Sequence, residues 1–255
     1  MRNAQTRTHD GSGYGIGKTG GAILGAGLLL AGNIALMFAL APTALAEGVV
    51  WLFDTAPGAP WGGVILVSVL LSVGRLAAYT SLGYDAMDPE ETTVVRDVSG
   101  GLAAVGLAVT LLAFGLFGGA ALSIVPADTR LLVVGISLVV TLGLAAVIGG
   151  IELLTTRSIA PYGAVVHGVG MVGGLGLLAV GYVGSLLGIS GASYLYVGAF
   201  ALILLAWIGD LAHEIGVLTR DDRPVWVNAY GLYAATTGVF VHILWLVARA
   251  YAEGN

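Results

Sequence analysis

The sequence predicts an all-α, polytopic membrane protein: a seven-helix bundle with its N-terminus in the cytoplasm and its C-terminus outside. Two observations carry the fold class. Of 255 residues, 57% are hydrophobic and 10% are charged, whereas a soluble domain carries about a quarter charged residues. Polar surface is therefore too scarce to face water all round. The hydrophobic residues also fall in span-length blocks instead of short amphipathic stripes, which is the pattern of lipid-facing helix.

A span needs about 20 apolar residues. Seven segments meet this: 20–45, 61–82, 100–125, 131–154, 162–187, 194–215 and 225–251. Short connections make consecutive helices antiparallel neighbours. The chain then divides into a polar cytoplasmic tail over 1–19, the membrane domain over 20–251 and an external tail over 252–255. Ala44-Leu45-Ala46 after the first apolar run has the form of a signal-peptidase site, but the long polar leader and the full span length favour an uncleaved first helix.

Arginine and lysine in short loops set orientation. With the N-terminus inside, the inner face carries Arg2, Arg7, Lys18, Arg96, Arg157, Arg220 and Arg223, and the outer face only Arg130 and Arg249. Localisation follows as multi-pass in the cell membrane, with the lipid bilayer as the principal partner. Net charge is −5 and Lys18 is the only lysine. Together with loop acids such as Asp85, Asp88, Glu90, Asp221 and Asp222, this is the composition of a halophilic archaeon. No basic patch is large enough for nucleic acid. The absence of cysteine removes disulfides and thiolate chemistry.

Glycine is abundant, with 41 residues. The pairs Gly21/Gly25, Gly115/Gly119 and Gly170/Gly174 are each four apart, so each lies on one helix face. Small residues at that spacing let backbones approach in lipid. They are read as helix-packing surfaces, which a second copy of the chain would also fit.

Several short motifs look chemical. Gly17-Lys18-Thr19 ends like a phosphate-binding loop, but Ser12 stands at the first glycine position and no strand precedes it. Gly188-Ile189-Ser190-Gly191 has the Gly-x-Ser-Gly form of rhomboid proteases without their His-x3-Asn, and is better read as a turn before a helix. Tyr84-Asp85 and Gly209-Asp210 resemble the aspartates of intramembrane aspartyl proteases, yet Trp207 replaces the first glycine of Gly-x-Gly-Asp. No nucleophile, base and partner converge at one depth, so the chain is not read as an enzyme.

Ionisable residues inside spans are costly and mark functional candidates. Counted at about 1.5 Å per residue, Arg75, His167 and Asp210 all lie roughly 8–10 Å from the cytoplasmic boundary. Glu152, His213, Glu214, Asn228 and Tyr230 lie shallower on the same side. The outer half carries little beyond His242, and Asn33 falls near the middle of the first span. The expectation is a polar vestibule open to the cytoplasm, with an Arg75–Asp210 pair and His167 sensing or passing protons. Snorkelling of Arg75 to the headgroups is the competing arrangement. His167 and His242 differ in depth by roughly 15 Å, too far to ligate one haem, and no cofactor is expected.

The helix count, the length and an internal N-terminus resemble the heliorhodopsins, the inverted branch of microbial rhodopsins. Arg96-Asp97-Val98-Ser99 before the third span is similar to that family's Arg-x-x-Glu, and the charged loop ending at Trp226 is similar too. The resemblance implies a light-sensing fold with a retinal lysine on the seventh helix and a glutamate counterion. Here that helix reads Ala234-Ala235-Thr236-Thr237-Gly238, no lysine falls within the seven segments, and Ser99 stands at the counterion position. A covalent retinal Schiff base is thereby ruled out. Two functions remain: proton or small-ion transport through the inner polar layer of Arg75, His167, Asp210, Glu152, His213 and Asn228, or a non-transporting opsin-like sensor or membrane-complex subunit.

Overall fold

The computed structural model describes residues 16–54, 70, 71, 74, 100–218 and 225–254. Among these residues the chain forms α1 (Ile16–Leu40), α2 (Ala44–Asp54), α3 (Gly100–Ser123), α4 (Arg130–Leu154), α5 (Ala160–Leu186), α6 (Ala192–Leu218) and α7 (Val225–Gly254). All but α2 are long and apolar enough to cross a bilayer. The protein is a multi-pass helical membrane protein. The expected span over 61–82 lies outside the described residues except at 70, 71 and 74, which are helical.

The first apolar block is not one helix. Pro42 lacks a backbone donor and pushes its predecessor out of the helical region, so α1 stops at Leu40. Thr43 closes the break: its backbone N–H and its hydroxyl both donate to the Leu40 carbonyl, at 2.9 and 2.6 Å. Ala46 and Glu47 then donate to the Thr43 carbonyl and start α2. At its other end α1 begins one turn before the expected 20, so Lys18 stands in its first turn. Likewise α7 continues through 252 and 253 to Gly254.

The bundle is organised around α7, against which α1, α3, α4 and α6 all pack. From Val227 to Trp245 every residue of α7 except Leu232 is buried. Its sequence explains this position. Asn228, Tyr230, Tyr233, Thr236, Thr237 and His242 put polar groups on several faces, and a helix polar on several sides must be shielded from lipid. In contrast α4 and α5 turn leucine and valine outward, among them Leu131, Val139, Val165 and Val172. α5 packs on α6, and α2 on α3.

Glycine sets how closely these helices meet. On the α5–α6 seam, a methyl added at Gly163 would lie 2.5 Å from the His213 nitrogen and 2.6 Å from the Gly209 oxygen. One added at Gly170 would lie 2.8 Å from the Leu202 carbonyl, and at Gly216 2.8 Å from the Ala160 nitrogen. This order of contacts makes the pair antiparallel. The three glycine pairs singled out in the sequence are used inside one chain. Gly21 and Gly25 meet Val225 and Ala229, Gly115 and Gly119 meet Leu36 and Leu40, and Gly174 meets Ile203. The same register shows α1, α3 and α7 running parallel.

If backbone approach holds the seam, an added methyl must force the helices apart. Gly209→Ala is expected to destabilise by about 1–3 kcal/mol, because its methyl would sit 2.7 Å from the His167 nitrogen. Gly176→Ala on the open side of α5, with nothing within 4 Å, should be neutral or stabilising by up to about 1 kcal/mol. Thermal unfolding in detergent reads both, and equal midpoints would show that the seam does not depend on close approach.

Candidate functional site

Gly209 lets the α6 backbone lie against α5, and the next residue, Asp210, is thereby held beside His167. Asp210 is 5% exposed. Its Oδ1 lies 3.8 Å from His167 Nδ1, beyond hydrogen-bond length but close enough for direct electrostatic interaction. The same Nδ1 lies 3.0 Å from the Ala206 carbonyl. A carbonyl only accepts, so Nδ1 carries the hydrogen and Nε2 holds the lone pair when the ring is neutral. The His167 side chain stays 28% exposed while the aspartate is enclosed. Here a buried acid and a half-open imidazole face each other across the seam. The depth count from sequence brings these two together; Arg75, their expected third member, lies outside the described residues, as do Asp85, Arg96, Asp97 and Ser99.

The shallower residues take varied positions. Glu152, buried near the end of α4, accepts a 2.8 Å hydrogen bond from the Ile159 backbone N–H. That residue precedes α5, so the carboxylate meets an orphan donor at a helix start, where negative charge is favoured. His213 turns its Nδ1 to the Ala160 carbonyl at 3.1 Å. Asn228 is buried in the first turn of α7, and its Oδ1 accepts no hydrogen bond. Glu214 is also buried, its carboxylate lying directly over Gly231 of α7.

Deeper in the bundle stands a residue the sequence did not single out. Trp207 lies one turn before Asp210 on α6, and its indole fills the space a side chain at Gly238 would occupy. Around it are Phe114 at 5.7 Å, His167 at 6.2 Å and His242 at 6.4 Å between ring centroids. One indole therefore packs beside both His167 and His242. His242 donates from Nδ1 to the Gly238 carbonyl at 2.7 Å and packs on Phe117 and Phe200. Beyond it the Trp245 indole donates to the Phe117 carbonyl at 3.0 Å, and Arg249 lies over the Trp245 ring. Tyr230, expected near the inner face, bonds Thr110 of α3 at 2.9 Å. The nearest sequence signal for this core was the glycine at 238, which in isolation reads only as a small residue.

The Gly-x-Ser-Gly segment is a helix terminator. Gly188 has φ 67° and Gly191 φ 88°. The Ile189 N–H donates to the Gly184 carbonyl and the Gly188 N–H to that of Ser185, the paired bonds of a Schellman ending with a left-handed glycine. Beside it, an open apolar groove of about 550 Å³ lies at the far end of the α5–α6 hairpin from His167 and Asp210.

Filling the notch under Trp207 tests whether this indole organises the core. Gly238→Ala should displace it, weakening the near-ultraviolet circular dichroism of the aromatic cluster and changing tryptophan emission. Unchanged spectra would mean that the indole is not seated by that glycine.

No family model, curated protein or solved structure matches the chain.

Proposed function

We propose that the chain moves protons, or another small ion handled by the same groups, across the cell membrane, with His167 and Asp210 as its inner relay. The observation carrying this is a buried carboxylate 3.8 Å from an imidazole that remains partly open. Enclosing an acid within the bundle is costly. A structural role would be served more cheaply by an amide, whereas a carboxylic acid and an imidazole side by side are both groups that can take up and release a proton.

The topology supporting this reading has seven spans with the N-terminus in the cytoplasm. α1 and α3 run parallel, so the residues between them bring the chain back to the end where α1 begins. A span over 61–82 would make that return. Gly74, within it, lies against Gly106 and Thr110 of α3. Lys18 and Arg157 stand at the proposed inner end and Arg130 and Arg249 at the outer, in keeping with the positive-inside tendency.

A second reading, a non-transporting opsin-like sensor or a subunit of a membrane complex, draws on Glu152 and His213. Both engage the backbone around the start of α5 and so lock helices together. Proteoliposomes under a pH gradient separate the readings. Transport predicts flux in the wild type that falls by about tenfold or more in Asp210→Asn and in His167→Ala, because each removes a proton-carrying group. A wild type that moves nothing would sink transport. Mutants matching an active wild type would clear these two residues of the role.

A further inference from the structure

Most polar side chains buried in this bundle are bonded within it. Ser137 and Thr141 of α4 turn their hydroxyls back to carbonyls four residues earlier, each at 2.7 Å. Thr110 does the same to Gly106 and also meets Tyr230. Back-bonding of this kind is the ordinary way a membrane helix hides a hydroxyl. Thr237 departs from it. Its Oγ1 makes no hydrogen bond, although the residue is wholly buried. One turn earlier on the same face of α7, the hydroxyl of Tyr233 is likewise buried and unbonded. The two hydroxyls are near enough to act on each other, but neither meets a partner in hydrogen-bond geometry.

A third atom belongs to the same level. α1 and α7 are parallel, with Gly25 opposite Ala229, so Asn33 and Thr237, each eight residues further on, are level. Asn33 donates from Nδ2 to the Leu111 carbonyl of α3 at 2.7 Å, and its Oδ1 is buried without a donor. Phe114, one turn beyond Thr110, packs edge-on against the Tyr233 ring. The orphaned atoms therefore lie on α1 and α7, which pack on each other and on α3. At about 1.5 Å per residue, Tyr233 and Thr237 stand roughly 12 and 18 Å from the first residue of α7, near the middle of a hydrocarbon core about 30 Å thick.

We propose that Tyr233 and Thr237 hold a water molecule at mid-membrane, with Asn33 Oδ1 as a further acceptor at that level. Buried polar atoms without partners are rare and costly. A buried water typically makes about three hydrogen bonds to such groups, and two hydroxyls with an amide oxygen supply donors and acceptors in that number. The site follows from packing alone. Its use as a station between the inner pair and the outer half rests on the transport reading, and it narrows the carried species to protons, since hydroxyls and one water pass protons without the oxygen cage a metal cation requires.

Solid-state NMR on protein labelled with ¹³C-tyrosine in lipid bilayers tests the site directly, by transfer of magnetisation from water to each ring. The Tyr233 signal is identified by its loss in Tyr233→Phe, and Tyr194, exposed at the start of α6, serves as the hydrated reference. Wild-type Tyr233 should receive water magnetisation within about twofold of that reference, fall about fivefold in Thr237→Val and stay within about twofold of wild type in Thr237→Ser. A dry Tyr233 in the wild type, or one indifferent to Thr237→Val, would overturn the site even if protons flow. Hydration at Tyr233 in a protein that moves no protons would confirm the site and remove the transport reading.

Discussion

Helices in this bundle approach until an added methyl would strike the neighbouring helix, its main chain along the α5–α6 seam, and the rest of the architecture depends on that closeness. Lipid tails are as apolar as leucine, so burying apolar faces gains little once a helix is in the bilayer; dispersion contacts over closely matched surfaces must supply the attraction instead. The chain meets this requirement with glycine on three seams: Gly163, Gly170, Gly209 and Gly216 between α5 and α6, Gly115 and Gly119 between α3 and α1, Gly21 and Gly25 between α1 and α7.

Close packing in turn permits what is otherwise expensive. With α1, α3, α4 and α6 around it, α7 carries its hydroxyls, its asparagine and His242 through the membrane without exposing them to lipid. Asp210 is enclosed by the same means, since the glycine before it draws α6 onto α5. The large side chains respect the arrangement. Trp207 lies where α7 offers a glycine, and Trp245 spends its indole donor on a main-chain carbonyl of α3. Polar groups and close-approach residues are thus interleaved along the helices that meet α7.

Much of this was legible in the sequence, for particular reasons. Span-length hydrophobic blocks identify membrane helices because no soluble protein can afford them, and the rise per residue is constant enough that His167 and Asp210 could be matched in depth from different helices. The break at Pro42 lies within an unbroken apolar block, so hydropathy alone passes over it; the proline's missing donor is the signal that finds it. Which side of each helix faces inward was not legible. In segments apolar all round, lipid-facing and buried valines are chemically alike, so Trp207 could not be told from an anchor in the bilayer. Thr237 looked the same as Thr141, though one bonds its own helix and the other does not. The heliorhodopsin resemblance rests on residues 96–99, outside the described structure, on the charged loop ending at Trp226 and on helix layout.

α5 differs from its neighbours in how it is held. It lies along α6 by a row of glycines that receive Ala206, Ile203 and Tyr196, with His167, Ser185 and the Ala160 carbonyl hydrogen-bonded across the same seam, while its opposite face turns valine, leucine and tyrosine outward. An axial offset of about one residue, 1.5 Å, would carry the His167 ring past Asp210 and strain the bonds that Glu152 and Ala160 make around the start of α5. The distance between acid and imidazole is therefore fixed by the axial register of these two helices.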